Sequence, residues 1–280
     1  MNNTLVKGLQ LLEVLARSRE PQGVSDLATQ LSLGKSNVHR LLQALVELGY
    51  VLKDETTAQY QVSLRLWELG AAVEVGFRIK AAASEAMARL LARTRETVHL
   101  SVLDGEEVVY VHKLDSPEPV RAYSEIGGRA PAFCVATGKA MLAWQPTAVL
   151  ASVASHLRAH TPRTITDPQE YLREMDRIRA NGYAVNRGEW RETVWGVAAA
   201  IRSAKGSVLA AIGVSGPSAR IKPGNIKVLA DEARRGRGCL AEPSPEARGG
   251  RVRPGIRTYP RCGLDTPYGR EGWRGARDLS

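Results

Sequence analysis

"LGKSNVHRLLQALVELGYV" (residues 33–51) carries two patterns laid over one another. Val38, Leu41, Leu42, Leu45 and Leu48 recur at helical spacing and make one apolar stripe. Ser36, Arg40 and Gln43, at i, i+4 and i+7, share the opposite face, and Lys35, Asn37 and His39 flank them. A face that meets only water is usually rich in Glu and Lys. This one opens with short hydrogen-bonding side chains and an arginine, and Glu47 follows a turn later.

Working outward, residues 5–17 read as a helix with Leu5, Leu9, Leu12 and Ala16 on one stripe and Thr4 placed as N-cap. "REPQG" (19–23) breaks it, and "SDLATQLSL" (25–33) reads as a short helix capped by Ser25 with Leu27, Ala28 and Leu31 inward. Gly34 marks the turn and Gly49 a left-handed stop. "YVLKDETTAQYQV" (50–62) is two β-prone arms around a polar turn, a hairpin. Helix, short turn with Gly, helix, hairpin is the winged helix-turn-helix pattern, covering residues 1–63. A recognition helix of that pattern puts its N-terminal half into the DNA major groove. Arg bonds guanine bidentately, Gln bonds adenine, and Ser serves either base or phosphate. Lys35, Ser36, Asn37, His39, Arg40 and Gln43 are therefore the candidate DNA-binding residues. Lys53, Thr56 and Thr57 in the wing either touch the DNA backbone or form a solvent-exposed turn.

Residues 64–93 read as a helical connector broken around Gly76, with Ile79, Ala83, Ala86 and Leu90 on a stripe. The stripe suits a dimer contact and a helix packed on its own domain equally. From Thr97 the period changes to two. "VHLSVLDGEEVVYVHKL" (98–114) holds two strands joined at Asp104-Gly105, and "VRAYSEI" (120–126) reads as another. "ATGKAMLAW" (136–144) begins a helix that Thr137 suits as cap. "DPQEYLREMDRIRANGY" (167–183) is a long helix with Asp167 as cap and Pro168 in the first turn, and Asn181-Gly182 stops it. "GVAAAIRSAKGSVLAAIGVSGP" (196–217) is a strand, a Lys-Gly turn and a strand, and "GNIKVLADEARR" begins a last helix. Strands, helices, then strands make an α+β ligand domain over residues 94–235 with a mostly antiparallel sheet.

The composition bounds the function class. The 280 residues have a net charge of +10, but residues 234–280 hold 11 Arg, no Lys and 5 acids, a net of +6, leaving +4 for the rest. Residues 1–63 are balanced, so any nucleic-acid argument rests on a local face and not on overall charge. Residues 236–280, rich in Gly, Pro and Arg without apolar period, read as a disordered tail. That tail is either a divergent, out-of-frame end or a basic extension that adds general phosphate affinity. Three scattered cysteines fit a reducing compartment, and no apolar run is long enough for a membrane span. With no signal-peptide pattern at the N-terminus, a cytoplasmic protein is expected.

Residues 4–233 resemble the IclR family of bacterial transcription regulators. Three stretches carry the likeness: "LVKGLQLLEVLARS" with "SDLATQLSLGKSNVHRLLQALVELGYV", then "GGRAPAFCVATGKAMLAW", then "NGYAVNRGEWRETVWGVAAAI…LAAIGVSGPSARI". The resemblance implies a DNA-binding winged helix, a connector that dimerises, and a GAF-like α/β domain that senses a small molecule. The expected partners are double-stranded operator DNA, a small organic acid, and copies of the chain in a dimer or dimer of dimers, with no cofactor and no metal.

The candidate effector residues follow. Free amides of Gly138 and Lys139 at a helix start suit a carboxylate. The family's pocket maps onto Gly138, Asn186, Gly196, Gly213 and Ser215. Family members that bind small oxo-acids place Cys and Ser at the positions of Gly196 and Gly213. Glycine at both is expected to make room, and with Trp190 nearby it points to a bulkier, aromatic acid. Cys134 and Glu189 lie near the same stretches; Cys134 and Trp190 fit the core as well as a pocket.

Two other classes stand against this reading. An enzyme is opposed by the motifs: "HLRAH" (156–160) lacks the Glu of a zinc hydrolase, "GVSGPS" is not a nucleophile elbow, and no Gly-rich phosphate loop occurs. An architectural DNA-binding protein whose second domain only oligomerises remains open.

Overall fold

The computed structural model describes residues 3–71, 74–203 and 205–241, with side chains at all of these except 74–78 and 236–241. The described residues form two compact units that divide between Arg78 and Ile79.

The first unit holds α1 (Asn3–Arg17), α2 (Val24–Leu31), α3 (Lys35–Glu47), β1 (Val51–Lys53), β2 (Tyr60–Val62) and α4 (Arg65–Ala71). Its core is Leu11, Leu15, Leu27, Ala28, Val38, Leu41, Leu42, Val51 and Tyr60. Each fully buried leucine contributes about 1.5–3 kcal/mol. In α1 the row that faces inward is Leu11 and Leu15; Leu5 and Leu9, expected inside, are exposed. Two apolar rows at helical period run along α1, and period alone does not choose between them. Packing does, because Gly8 on the Leu11 side lies against Leu41. Thr4 lies inside the helix and does not cap it. The N-cap of α2 is Gly23, not Ser25.

Helix α3 closes in a Schellman turn: Gly49 has φ +77°, its amide donates to Val46 O, and the Tyr50 amide donates to Leu45 O. That turn carries Leu48 out of the stripe to the surface. β1 and β2 pair antiparallel, Val51 with Val62, and Gln22 bridges to Tyr60.

The connector divides earlier than expected. After α4, α5 (Glu74–Thr94) runs unbroken through Gly76.

The second unit adds β3 (Thr97–Asp104), β4 (Glu107–Leu114), β5 (Arg129–Pro131), α6 (Ala136–Leu142), α7 (Thr147–Ser155), α8 (Pro168–Asn181), β6 (Ala184–Arg187), β7 (Val194–Arg202), β8 (Val208–Pro217) and α9 (Ile226–Ala241). Six strands form one sheet in the order β5-β4-β3-β8-β7-β6, every pair antiparallel. Alternation sorts the side chains to two faces. Val98, Leu100, Val197, Ile201, Ile212 and Val214 pack with Ala83, Ala86, Met87 and Leu90 of α5 and Leu229 and Ala230 of α9. The α5 stripe therefore packs on its own domain. The opposite face meets α6, α7 and α8 through Ala198, Ala200, Ala211, Met141, Leu150 and Tyr171.

No strand forms over 120–126. β5 pairs with β4 only at Glu107, Val108 and Val109, the Gly127 amide donates to Tyr110 O, and before Gly127 the segment makes no backbone bond to β4 among the described residues. It is held instead through Ser124, whose carbonyl accepts from Lys113 Nζ at 2.8 Å. The last helix continues six residues beyond Arg235. Of the expected disordered stretch 236–280, residues 236–241 are thus helical, and residues 242–280 lie outside those described.

Candidate functional site

Helix α3 presents Lys35, Ser36, His39, Arg40 and Gln43 as exposed side chains, with Asn37 half-buried beside them. Its N-cap is Gly34, in extended backbone, and no acid lies in the first turn. Among the described residues, these six side chains have no hydrogen bond or ion pair. The Lys35 and Ser36 amides at the helix start, an unopposed lysine and uncommitted side-chain donors make one end of α3 suited to phosphate and base edges. The buried row Val38, Leu41 and Leu42 fixes the orientation of that face. The wing tip is different, because its polar groups are spent internally. Lys53 Nζ lies 2.6 Å from Glu55 Oε2. Asp54 Oδ1 accepts from Thr56 N at 2.8 Å and Thr56 Oγ1 at 2.6 Å.

In the second unit the candidate effector residues gather around α6, which is buried throughout its length. Val135, not Thr137, stands at its N-cap. Gly138 is there because a Cβ would lie 2.2 Å from Ala132 O. The Lys139 amide, expected to be free, donates to Val135 O at 2.9 Å, and the side-chain charge is paired as well. Its fully buried ammonium sits 2.7 Å from Glu189 Oε1 and 3.4 Å from Glu174 Oε1. Burial pushes the Glu189 carboxyl up, against the pull of Lys139. Asn186 is a turn-former: its Oδ1 accepts from the amides of Gly188 at 3.0 Å and Glu189 at 2.8 Å, and so carries Glu189 to Lys139. Cys134 is fully buried, and burial raises its thiol far above the ordinary value. Trp190 packs its edge on His160 at 4.6 Å and joins the core around Met141.

Gly196, Gly213 and Ser215 do share the α6-facing side of the sheet, in register Gly196 to Ser215. The two glycines do not make room there. A Cβ on Gly213 would lie 2.5 Å from Ala198 Cβ and 2.7 Å from Val197 O, and one on Gly196 3.1 Å from Val214 O. Neighbouring strands have closed over the missing side chains.

The residue that sequence reasoning missed is His99. It pairs with Gly213 across β3 and β8 and faces α6. Its Nε2 is 2.5 Å from Ser215 Oγ and its Nδ1 3.3 Å from Ser124 Oγ, and Tyr110 lies 5.1 Å from the ring. Burial pushes His99 down to about 4 and Tyr110 up to about 12, so both are neutral near pH 7. Ser101, next on the same face, has a buried hydroxyl without a partner among the described residues. The signal was in "TVHLSV": Thr97, His99 and Ser101 alternate with apolar residues, yet both phases are buried. The strand has a polar interior side, which alternation alone reads as solvent. Cavities of about 540 Å³ beside Arg173 and Arg177 and about 230 Å³ beside Glu96 and Arg220 lie away from this wall. The histidines of "HLRAH" do not share a helix, since His156 terminates α7.

The model of the IclR C-terminal domain of bacterial transcriptional regulators matches residues 72–236, and that of the IclR helix-turn-helix domain matches residues 4–55. The chain belongs to the IclR family. It is 33% identical to the HTH-type transcriptional regulator KdgR of Dickeya chrysanthemi, over 80% of this chain and 73% of that protein. The Thermotoga maritima IclR structure superposes with a TM-score of 0.73 at 28% identity, covering 86% of this chain and 98% of that one. An IclR homologue of Microbacterium hydrocarbonoxydans, solved with 4-hydroxybenzoate, superposes with a TM-score of 0.74 at 26% identity, covering 85% and 99%. The chain is accordingly a DNA-binding transcriptional regulator with a ligand-binding C-terminal domain. No described helix is long and apolar enough to cross a membrane.

Proposed function

We propose that α3 reads operator DNA through Lys35, Ser36, Asn37, His39, Arg40 and Gln43, and that a small organic acid with an aromatic ring, bound on the α6-facing side of the sheet, modulates that reading. The observation that carries the proposal is the uncommitted polar face of α3. For the effector, the support is the neutral wall of His99, Ser124, Ser215 and Tyr110, which offers hydroxyl and imidazole partners to a carboxylate or phenol. The bound 4-hydroxybenzoate of the Microbacterium homologue agrees with that chemistry. Glu189, Lys139 and Asn186 hold the start of α6 and the turn after β6 together, and Gly138, Gly196 and Gly213 let the backbones approach. The effector acts to the extent that it binds DNA-bound and DNA-free forms differently. The working unit is a homodimer or dimer of dimers acting on DNA in the cytoplasm.

Ser215 and His99 resemble a hydrolytic dyad in outline only. A histidine held at about 4 is a poor general base at neutral pH, and its Nδ1 meets a serine, not a carboxylate. The test is selection of bound duplexes from a random pool by the full chain, with and without a library of aromatic and aliphatic acids. We expect one enriched motif whose recovery changes with an aromatic acid. Random recovered sequence would overturn the operator reading. In parallel, an aromatic acid at 100 times its Kd adds about 2.7 kcal/mol of stability, visible as a raised melting temperature without turnover.

A further inference from the structure

The two ends of the DNA-binding unit differ in charge. The first turns of α3 carry Lys35 and Arg40 with no acid in the first turn. The wing tip carries Lys53 against Asp54 and Glu55, a net negative turn. Both acids have partners within the turn. Asp54 closes the turn by accepting from Thr56 N, Thr56 Oγ1 and Thr57 N, and these bonds hold its carboxyl down at about 2, so it stays charged at any working pH. Glu55 lies 2.6 Å from Lys53 Nζ while its own side chain is 78% exposed. The lysine and the Thr56 hydroxyl, groups that a wing would lend to a phosphate, are already engaged by a carboxylate.

We propose that this wing is an electrostatic spacer and not a phosphate clamp, with Glu55 acting as a residue that lowers DNA affinity so that binding depends on α3. A phosphate approaching Lys53 meets the Glu55 charge on the outside of the pair. Gaining the lysine contact means breaking the pair and bringing two anions together. The chain thereby forgoes sequence-independent affinity at the wing, and discrimination rests on the base-reading face. The inference rests on the DNA-binding reading of α3, and the test separates the two.

The full chain, wild type and variants, is titrated by fluorescence anisotropy against a duplex selected by the wild type and against a mixed-sequence duplex, from 50 to 200 mM KCl. Glu55→Gln is expected to tighten both duplexes by about three-fold near 100 mM salt and to steepen the salt slope by about 0.9, one added phosphate contact. Lys53→Ala in the wild type is expected to change binding by less than about two-fold, since its charge is already spent, and in the Glu55→Gln background to remove the whole gain. Lys53→Ala weakening the wild type with a slope shallower by about 0.9 would overturn the proposal, as would a Glu55→Gln slope equal to wild type. Arg40→Ala serves as the separate control. If it leaves the selected duplex bound as tightly as before, α3 is not the reader and the parent reading fails instead.

Discussion

A methyl group at Gly138 would lie 2.2 Å from Ala132 O and 2.4 Å from Ala132 Cα, atoms of a backbone that cannot swing aside as a side chain does. Gly138→Ala therefore costs at least the 1–3 kcal/mol typical of overpacking, read as a lowered urea midpoint of the full chain. Gly8→Ala, whose added carbon meets only Leu41 Cδ2 at 3.9 Å, is the control expected not to lose stability by overlap. His99 makes a pH prediction of definite sign. Its folded value of about 4 lies below the ordinary 6.5, so between those values the unfolded chain binds a proton that the folded chain does not. Stability is then complete above about 6.5 and is lost as the pH falls towards 4. Between pH 7 and pH 5 this group alone removes about 2 kcal/mol. His99→Gln flattens that part of the urea-stability profile, followed by the fluorescence of Trp144, Trp190 and Trp195, which all lie in this unit. An acid limb of unchanged steepness in the variant would show that His99 is not the group responsible.

Elements with local signals are legible in the sequence, and elements defined by distant partners are not. α8 has both: Asp167 caps it by accepting from the Glu170 amide at 2.7 Å, Pro168 opens it, and Gly182 stops it at φ +74°. The hairpins turning at Gly105 and Gly206 are equally local. The 120–126 segment alternates as well as any strand, yet what holds it to β4 is Lys113 Nζ on the Ser124 carbonyl and not a backbone ladder, a contact that alternation does not announce. Gly196 and Gly213 were legible as glycines but not as filled space, because each is crowded from the neighbouring strand, Gly213 by Ala198 and Val197 and Gly196 by Val214 O. Likewise the Lys139–Glu189 pair joins residues 50 apart, and no spacing rule announces it. The cap gives an element-scale prediction. Asp167→Ala leaves the Glu170 amide unpartnered and costs about 1 kcal/mol, while Asp167→Asn, which also accepts at an N-cap, retains most of the stability. Urea denaturation of the three proteins side by side reads the difference.

At the scale of the molecule, the charge and the fold belong to different parts of the chain. The last residues of the second core are Leu229, Ala230 and Ala233, and the match to the family's C-terminal domain ends at residue 236. Residues 242–280 bring eight Arg against five acids, a net of +3 of the chain's +10, and lie wholly beyond the family match. A chain ending at Ala241 should therefore keep its melting temperature within about 2 °C, a change of less than about 1 kcal/mol, because the matched domain ends before the cut. It should also keep its preference for a selected duplex over a mixed one, since Arg40, Gln43 and Ser36 are untouched. What it should lose is general affinity: the slope of log K against log salt becomes shallower by as much as about three, if the net charge of the tail meets phosphates one for one. An intact slope would mean that the tail does not touch DNA. Loss of the selected-over-mixed ratio, or of folding, would mean that these residues act within the domains and are not an appendage to them.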